Sequence, residues 1–338
     1  MQYRTLGSTG IDVSRLALGG GPIAALMTGD DRQRQRQVIE RALEAGINWI
    51  DTAATYGQGQ SERSIGEALS QLGGASQMLV ATKVRLVGDD LDEIDAAVRR
   101  SLRESLARLQ LPRVTLLQLH NAITLRRDDE PTSLAPGDIL GPGGVLQAMQ
   151  RLQRDGLVAH LGLTALGQPQ AMREVIRSGA FATIQTPYNL LNPSAGMNVP
   201  AGFQEADYGN IIDESMQRGM GVFAIRVLGA GALAGQQPAA HTRSTKFFPL
   251  DLYRRDQRRA ARLVDMVGEG VDLKEIAVRF ALSHEGISSA IIGFAQPQHV
   301  DEANEYLQAG SLPQNLLAKL RRLEYHAVAE DEVEGSAE

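Results

Sequence analysis

Short apolar runs alternate along the chain with longer stretches in which apolar residues recur every three or four positions. The short runs are rich in Val, Ile and Leu, as is typical of strands, and the longer stretches have the spacing of amphipathic helices. In the stretch 91–109, Leu91, Ile94, Val98 and Leu102 mark one face of a helix. The pattern predicts eight strands, which begin near residues 15, 47, 78, 114, 158, 182, 221 and 288.

Predicted helices alternate with these strands. They cover residues 31–45, 62–72, 91–109, 144–155, 169–178, 207–218, 252–267, 273–283 and 297–308, and residues 313–325 form one more. Runs such as Leu-Leu-Gln-Leu show no regular polar alternation, which is typical of parallel strands buried on both faces. Eight strand–helix units without an intervening linker predict an α/β fold, a (β/α)8 TIM barrel formed by a single domain over 1–327. A doubly wound sheet is the alternative.

The two ends of the chain lie outside this alternation. Residues 2–6 and 11–13 flank the turn sequence Gly-Ser-Thr-Gly, which predicts an N-terminal β-hairpin that closes the bottom of the barrel. Residues 328–338 are acidic and predict a disordered tail. Long loops follow three of the strands, at 121–142, 187–205 and 226–249, and loops of this length usually bind ligands or cover a site.

Composition and charge exclude several classes of function. The net charge is −6 and 4% of the residues are aromatic, so we expect neither a basic stripe nor a stacking surface for nucleic acid. The chain has no cysteine, and no two histidines have the i, i+4 spacing of a helical metal site. No apolar run reaches the ~18 residues that cross a membrane, and the first residues do not resemble a signal peptide. We therefore expect a cytoplasmic protein without a metal, membrane or nucleic-acid partner.

A glycine-rich run follows the first predicted strand. Residues 19–24 match the G-x-G-x-x-A spacing of dinucleotide-binding proteins, but Pro22 and several further residues separate them from the next helix. No helix N-terminus is therefore aimed at a pyrophosphate, and the strand-end acid Asp51 lies too far along the chain for the Rossmann pattern. We interpret the run as a place where a ligand approaches the backbone closely, at Gly20 and near Ile23.

Four residues with acid–base chemistry lie at or near the ends of three consecutive strands. Asp51 ends the second strand, Lys83 the third and His120 the fourth, and Tyr56 follows Asp51 in the next loop. Each alone has an ordinary structural explanation, such as a helix N-cap for the aspartate or packing for the tyrosine. Together they fall on the same rim of the barrel, where enzymes of this fold keep their reactive groups.

These side-chain types form a coherent proton-transfer site. A tyrosine hydroxyl has a reference pKa of about 10, which is too high for easy proton exchange near neutral pH. A lysine ammonium next to the hydroxyl favours the phenolate, and an aspartate keeps the ammonium in place. A histidine adds a hydrogen-bond donor to a substrate oxygen. Such a site protonates a carbonyl oxygen or deprotonates an alcohol while another group transfers a hydride.

The residues at these positions resemble a known family. The segments Ile-Asp-Thr-Ala with Tyr56, Ala-Thr-Lys and Leu-His look like the Asp–Tyr–Lys–His tetrad of the aldo-keto reductases. The opening Tyr-Arg-Thr-Leu-Gly-Ser-Thr-Gly is similar to the bacterial and plant branch that contains D-threo-aldose and L-galactose dehydrogenases and potassium-channel β-subunits. The resemblance covers about residues 1–308. It implies a barrel that binds NAD(P) and transfers a hydride reversibly between nicotinamide and a carbonyl carbon.

The resemblance also implies a role for each residue. Tyr56 is the expected general acid/base, Lys83 tunes it, Asp51 pairs with Lys83, and His120 orients the carbonyl group. Cofactor contacts are expected at Gly20, Asp51, Thr164, Gln185, Arg226, Leu228, Gly229, Gly293 and Glu302. Substrate contacts are expected at Ile23, Tyr56, His120 and Tyr188.

Several positions depart from the family pattern. Thr164-Ala165 stands where Ser-Asn or Ser-Arg is usual, Arg226 where many members have an aromatic ring, and Ala303 where the adenine site usually has a Glu-Asn pair. The segment 293–302 contains no Lys or Arg for the 2′-phosphate of NADP, which favours NAD slightly although many relatives use NADP. Arg243 or Lys246, in the loop after the seventh strand, would compensate.

The leading hypothesis is an NAD(P)-dependent oxidoreductase that acts on the CH–OH or carbonyl group of an aldehyde, ketone or sugar. One alternative is a regulatory subunit that binds the cofactor, similar to the potassium-channel β-subunits. Another is a barrel hydrolase or isomerase that uses His120 and Asp51. The sequence supports it little, because it shows neither metal-ligand spacing nor a Ser next to a His.

Overall fold

A closed barrel of eight parallel strands and a two-stranded antiparallel hairpin make up the sheets of a computed structural model, which describes residues 1–203, 205–238, 250–267 and 272–321. The strands are β1 (Tyr3–Thr5), β2 (Asp12–Ser14), β3 (Leu16–Gly19), β4 (Trp49–Asp51), β5 (Leu79–Val84), β6 (Val114–Leu119), β7 (Val158–Thr164), β8 (Thr183–Pro187), β9 (Gly221–Ile225) and β10 (Ile287–Ile292). The hairpin is β1–β2, and β10 pairs with β3 to close the barrel. The predicted (β/α)8 TIM barrel is confirmed, and the doubly wound alternative is wrong because the sheet has no open edge.

Helices connect the barrel strands on the outside. They are α1 (Arg32–Glu44), α2 (Gln60–Leu72), α3 (Ile94–Leu109), α4 (Pro136–Leu140), α5 (Val145–Arg154), α6 (Pro169–Arg177), α7 (Ile211–Gln217), α8 (Leu250–Val267), α9 (Leu273–Leu282), α10 (Pro297–Gln308) and α11 (Gln314–Arg321). Local signals start several of them: the Asp31 carboxylate accepts the Arg34 N–H at the beginning of α1, and Pro297 is in the first turn of α10.

The structure differs from the predicted helices in three places. The helix expected over 207–218 begins only at Ile211, because Asn210 has a φ of 51° and the Asp207 carboxylate accepts the Gly209 N–H in a turn. The sequence pattern does not predict α4, since five residues are too few to show a helical period. It also does not predict the kinked helical turn Ala24–Thr28 after β3.

The N-terminal hairpin closes the bottom of the barrel, as expected. Leu6 and Val13 pack against Trp49 and Phe223 in the lower part of the barrel core. The turn of the hairpin touches the start of β9, where a Cβ on Gly7 would overlap the backbone of Gly221. Gly7 also has a φ of 52°, so the position requires glycine for both reasons.

The carboxyl ends of the barrel strands form the opposite rim, and the loops that leave this rim carry the predicted site. Arg243, Lys246 and the predicted tail at 328–338 lie outside the described residues. Within the described ranges, no helix has both the length and the apolar character needed to cross a bilayer.

Candidate active site

The barrel brings the four predicted catalytic residues to one place on this rim. Asp51 is the last residue of β4, Lys83 is the last but one of β5, and His120 directly follows β6. In the register of the sheet Lys83 pairs with Gln118, two positions before His120. Alternate residues of a strand share a face, so the side chains of Asp51, Lys83 and His120 point into the barrel together. Tyr56 enters the same space from the loop between β4 and α2.

Lys83 is the centre of the hydrogen-bond network. Its ammonium donates to Asp51 Oδ2 at 2.5 Å, to the Thr52 carbonyl oxygen at 2.8 Å and to the Tyr56 hydroxyl at 3.4 Å. An ammonium group has three N–H donors, so each of them has an acceptor. The side chains of Lys83 and Asp51 are only 1% and 5% exposed, which makes this a buried ion pair.

Burial opposes the charge on Lys83, but its neighbours outweigh that effect. Desolvation alone would lower the pKa of a buried lysine. The Asp51 carboxylate and the Tyr56 hydroxyl favour the ammonium, and the pKa of Lys83 is raised above its ordinary value of 10.5. Lys83 is therefore a permanent positive charge next to the Tyr56 hydroxyl at physiological pH.

Asp51 accepts hydrogen bonds from three different strands. Its Oδ2 accepts from Lys83 of β5, and its Oδ1 accepts from Gln118 Nε2 of β6 at 3.1 Å and from Gln185 Nε2 of β8. A buried carboxylate is stable only when donors replace its lost water. The three donors meet that requirement and fix the orientation of the carboxylate.

His120 faces Tyr56 across the site. The two ring centroids are 5.9 Å apart and the ring planes meet at 81°. Burial, and then the charges of Lys83 and Arg85, hold the pKa of His120 well below its ordinary value of 6.5. The imidazole is therefore neutral at pH 7, with one N–H donor and one acceptor nitrogen. The Thr55 hydroxyl lies 3.5 Å from His120 Nδ1. The other ring nitrogen, Nε2, lies on the opposite side of the ring.

The family model described as Aldo/keto reductase family matches residues 15–324 of the chain. The chain belongs to the aldo/keto reductase family. L-galactose dehydrogenase of Arabidopsis thaliana is 24% identical over 303 residues, which are 89% of this chain and 86% of that protein. D-threo-aldose 1-dehydrogenase of a Pseudomonas species is 27% identical over 341 residues, which are 93% of this chain and 94% of that protein. These matches confirm the resemblance and support oxidoreductase activity.

A solved structure supports the fold. The holo form of an aldo-keto reductase from Bacillus halodurans superposes with a TM-score of 0.71 at 21% identity, and the match covers 95% of each chain. Enzymes of the aldo/keto reductase family use nicotinamide cofactors, and the residues around the tetrad would contact the nicotinamide.

Two predicted nicotinamide contacts of this aldo/keto reductase present acceptor atoms beside the tetrad. The Thr164 hydroxyl donates to the Leu119 carbonyl oxygen at 3.0 Å, and Gln185 donates an N–H to Asp51. Thr164 Oγ1 and Gln185 Oε1 therefore keep lone pairs that accept further hydrogen bonds. A nicotinamide carboxamide carries two N–H donors on its nitrogen, so the chemistry of these two residues fits that group.

Four predicted cofactor residues lie in the loops that follow β3 and β9 at the rim of the barrel: Gly20, Arg226, Leu228 and Gly229. Gly20 donates its N–H to the Asp51 carbonyl oxygen at 2.7 Å, and a Cβ on Gly20 would come within 2.6 Å of Ser61 Oγ. Arg226 has a φ of 55°, in the left-handed region, and begins the turn that contains Leu228 and Gly229. Their contacts with a cofactor stay predictions.

The predicted adenosine contacts follow β10. Gly293 lies directly after the strand, and a Cβ there would come within 2.6 Å of the Leu26 side chain. Glu302, in α10, accepts a hydrogen bond from Lys274 of α9 at 2.8 Å. The Glu302 carboxylate is thus already bound to a cation of the neighbouring helix, and its contact with adenine stays a prediction.

The two predicted substrate residues outside the tetrad differ in exposure. Ile23 is partly exposed in the loop after β3. Tyr188, directly after β8, is buried; its ring stacks on Phe280 at 5.2 Å and meets His284 edge-on at 5.3 Å. These contacts give the Tyr188 ring a packing role against α9, and its contact with substrate stays a prediction.

The structure adds three polar residues that the sequence analysis does not include. Gln118 and Arg85 each have a signal in the sequence, because Gln118 lies two positions before His120 at the end of β6 and Arg85 lies two positions after Lys83, directly after β5. Lys274 has no such signal, since its position next to Glu302 depends on the packing of α9 against α10.

Proposed function

We propose that this protein catalyses reversible hydride transfer between a nicotinamide cofactor and the carbonyl carbon of an aldehyde, ketone or sugar. The observation that carries the proposal is the buried Lys83 ammonium, which joins the Asp51 carboxylate to the Tyr56 hydroxyl opposite a neutral His120. The bound cofactor would supply or accept the hydride at C4 of its nicotinamide ring.

The residues of the chain handle the proton. In the direction of reduction, the Tyr56 hydroxyl donates its proton to the carbonyl oxygen as the carbonyl carbon gains the hydride, which leaves an alcohol and a phenolate. The Lys83 ammonium, 3.4 Å from the hydroxyl oxygen, stabilises that phenolate electrostatically. Neutral His120 donates its N–H to the same carbonyl oxygen and orients it. Oxidation reverses each transfer.

The charges around the segment after β10 support a preference for NAD within this proposal. Among the residues that the structure describes, three cations border that segment, and each is paired with a carboxylate. Arg34 pairs with Asp31, Arg41 with Asp301, and Lys274 with Glu302. A 2′-phosphate would have to compete with these carboxylates for the cations that normally bind it, so the three pairs favour a cofactor without that phosphate.

The expected location and partners remain part of the proposal. The chain has no cysteine and so forms no disulfide. Disulfides are typical of oxidising compartments, so this composition agrees with a cytoplasmic location. The partner that the site suits is a small carbonyl or alcohol compound, since the reacting groups lie inside the mouth of a barrel.

The test compares the wild type with Tyr56→Phe, with a panel of aldehydes, aldoses and secondary alcohols and both cofactors. We expect Tyr56→Phe to lower kcat by about 100-fold or more, because general acid–base catalysis contributes about that much, and to leave the cofactor Kd nearly unchanged. Tyr3→Phe is the matched control, because the Tyr3 hydroxyl binds the Gly46 carbonyl oxygen away from the rim.

Three outcomes would contradict the proposal. If Tyr56→Phe retains turnover within about tenfold, a difference of about 1.4 kcal/mol, Tyr56 is not the proton donor. If the wild type binds the cofactor tightly but turns over no carbonyl compound, the protein is a cofactor-binding regulatory subunit. If the wild type binds neither cofactor, a hydrolase or isomerase becomes the better hypothesis.

A further inference from the structure

Gln118 is a polar side chain inside the barrel, in register with Lys83 and in contact with Asp51. It is fully buried in β6 between Leu117 and Leu119. Among the described residues its side chain makes one hydrogen bond, from Nε2 to Asp51 Oδ1 at 3.1 Å, and its Oε1 meets no donor on the protein. A buried amide that is only half matched is less favourable than an apolar side chain of the same size.

The neighbouring strand makes room for this amide. Gly162 of β7 pairs with Gln118 on one side and with Thr183 of β8 on the other. A Cβ on Gly162 would lie 3.1 Å from Gln118 Cγ and would overlap Thr183 Oγ1. The glycine therefore allows two polar side chains to occupy this layer of the barrel, and only Gln118 contacts Asp51.

We infer that Gln118 is a positioning residue for the Asp51–Lys83 pair, and this inference rests on the proposed function. The amide of Gln118 holds Oδ1 of the carboxylate while Lys83 holds Oδ2. Removal of the amide leaves the buried carboxylate with fewer donors and freer to rotate. The Lys83 ammonium follows the carboxylate, and its distance of 3.4 Å from the Tyr56 hydroxyl increases.

If a half-matched buried amide serves a reaction, its replacement by an apolar side chain should lower the rate far more than it lowers the free energy of unfolding. We would compare Gln118→Met, which has nearly the same shape, with Thr183→Val as the matched control. Among the described residues, Thr183 Oγ1 is likewise buried without a hydrogen-bond partner and makes no hydrogen bond to Asp51. For each variant kcat, KM and the midpoint of urea unfolding are measured with saturating cofactor.

We expect Gln118→Met to lower kcat by about tenfold or more, with KM within about threefold and only a small change in the unfolding midpoint, because removal of the unmatched carbonyl oxygen offsets the lost hydrogen bond to Asp51. Thr183→Val should keep kcat within about twofold. The inference is overturned if Gln118→Met keeps kcat within about twofold, or if Thr183→Val loses as much. A wild type that turns over no carbonyl compound instead refutes the proposed function, so the two failures are distinguishable.

Gln118→Glu provides a second variant with a different readout. A protonated glutamic acid keeps an O–H donor for Asp51, whereas the ionised form repels that carboxylate. The kcat of Gln118→Glu relative to the wild type should therefore fall as the pH rises. A kcat that stays within about twofold of the wild type at a pH where NMR shows the new carboxyl group to be ionised overturns the inference even if Gln118→Met does not fold.

Discussion

Replacement of Lys83 by Met should destabilise the barrel by breaking a buried ion pair on one side. The Asp51 side chain is 5% exposed and would lose its buried counter-ion, the ammonium 2.5 Å away. Loss of one partner of a buried pair typically destabilises a protein by about 3–5 kcal/mol. Asp51 retains hydrogen bonds from Gln118 and Gln185, which compensate part of the charge. We therefore expect a loss near the lower limit, about 3 kcal/mol.

The double variant Asp51→Asn/Lys83→Met separates charge from packing. With both partners neutral, no unpaired charge remains in the barrel, so most of the lost free energy of unfolding should return. Activity should not return, since the double variant also lacks the ammonium next to Tyr56. Stability is measured by urea unfolding followed by far-UV circular dichroism, and activity by the turnover assay for hydride transfer.

An exposed ion pair gives the control. Arg99 and Asp155 are 2.8 Å apart, but their side chains are 30% and 46% exposed. Arg99→Met should change the free energy of unfolding by less than about 1 kcal/mol. The reasoning is refuted if Lys83→Met is no less stable than Arg99→Met, or if the double variant is as unstable as Lys83→Met alone.

Three further predictions concern the charges at the site and around the cofactor. Because the pKa of His120 lies below its ordinary value, the unfolded state binds its proton first, and the free energy of unfolding falls as the pH drops below about 6.5. Arg85→Gln removes one of the charges that lower this pKa, so an NMR titration should find the pKa of His120 raised. An unchanged pKa would show that the charge of Arg85 does not act on His120. For the cofactor, we expect a higher kcat/KM with NAD than with NADP at equal ionic strength, and a preference of about tenfold or more for NADP would direct attention to Arg243 and Lys246.

The barrel itself is predictable from the sequence because its signal is local and repeated. Each strand is a short apolar run and each helix a periodic one, so an error in one element does not affect the others. The positions of Asp51, Lys83 and His120 follow from the same pattern. The carboxyl ends of parallel strands in a closed barrel all meet at one rim, so residues at three consecutive strand ends are neighbours.

The loops could not be predicted in the same way, because their structure depends on contacts between distant segments. Asn121, in the loop after β6, accepts the Leu86 N–H and donates to the carbonyl oxygens of Leu86 and Thr132. One buried amide thus ties together the loops after β5 and β6. The ring of Tyr188 packs against Phe280, a residue far along the chain. No periodicity in the sequence encodes such contacts.

Some hydrogen-bond partners of Asp51 can be predicted from the sequence, and others depend on the closure of the barrel. Its pairing with Lys83 is predictable, since the two lie at the ends of adjacent strands, but its other donors, Gln118 and Gln185, come from strands farther around the barrel. In an open sheet these side chains would not converge on one carboxylate. Closure brings them to the barrel axis, where the carboxylate is almost completely buried and their hydrogen bonds replace the water that it loses. The barrel therefore supplies the environment in which a buried lysine stays positive next to a tyrosine hydroxyl.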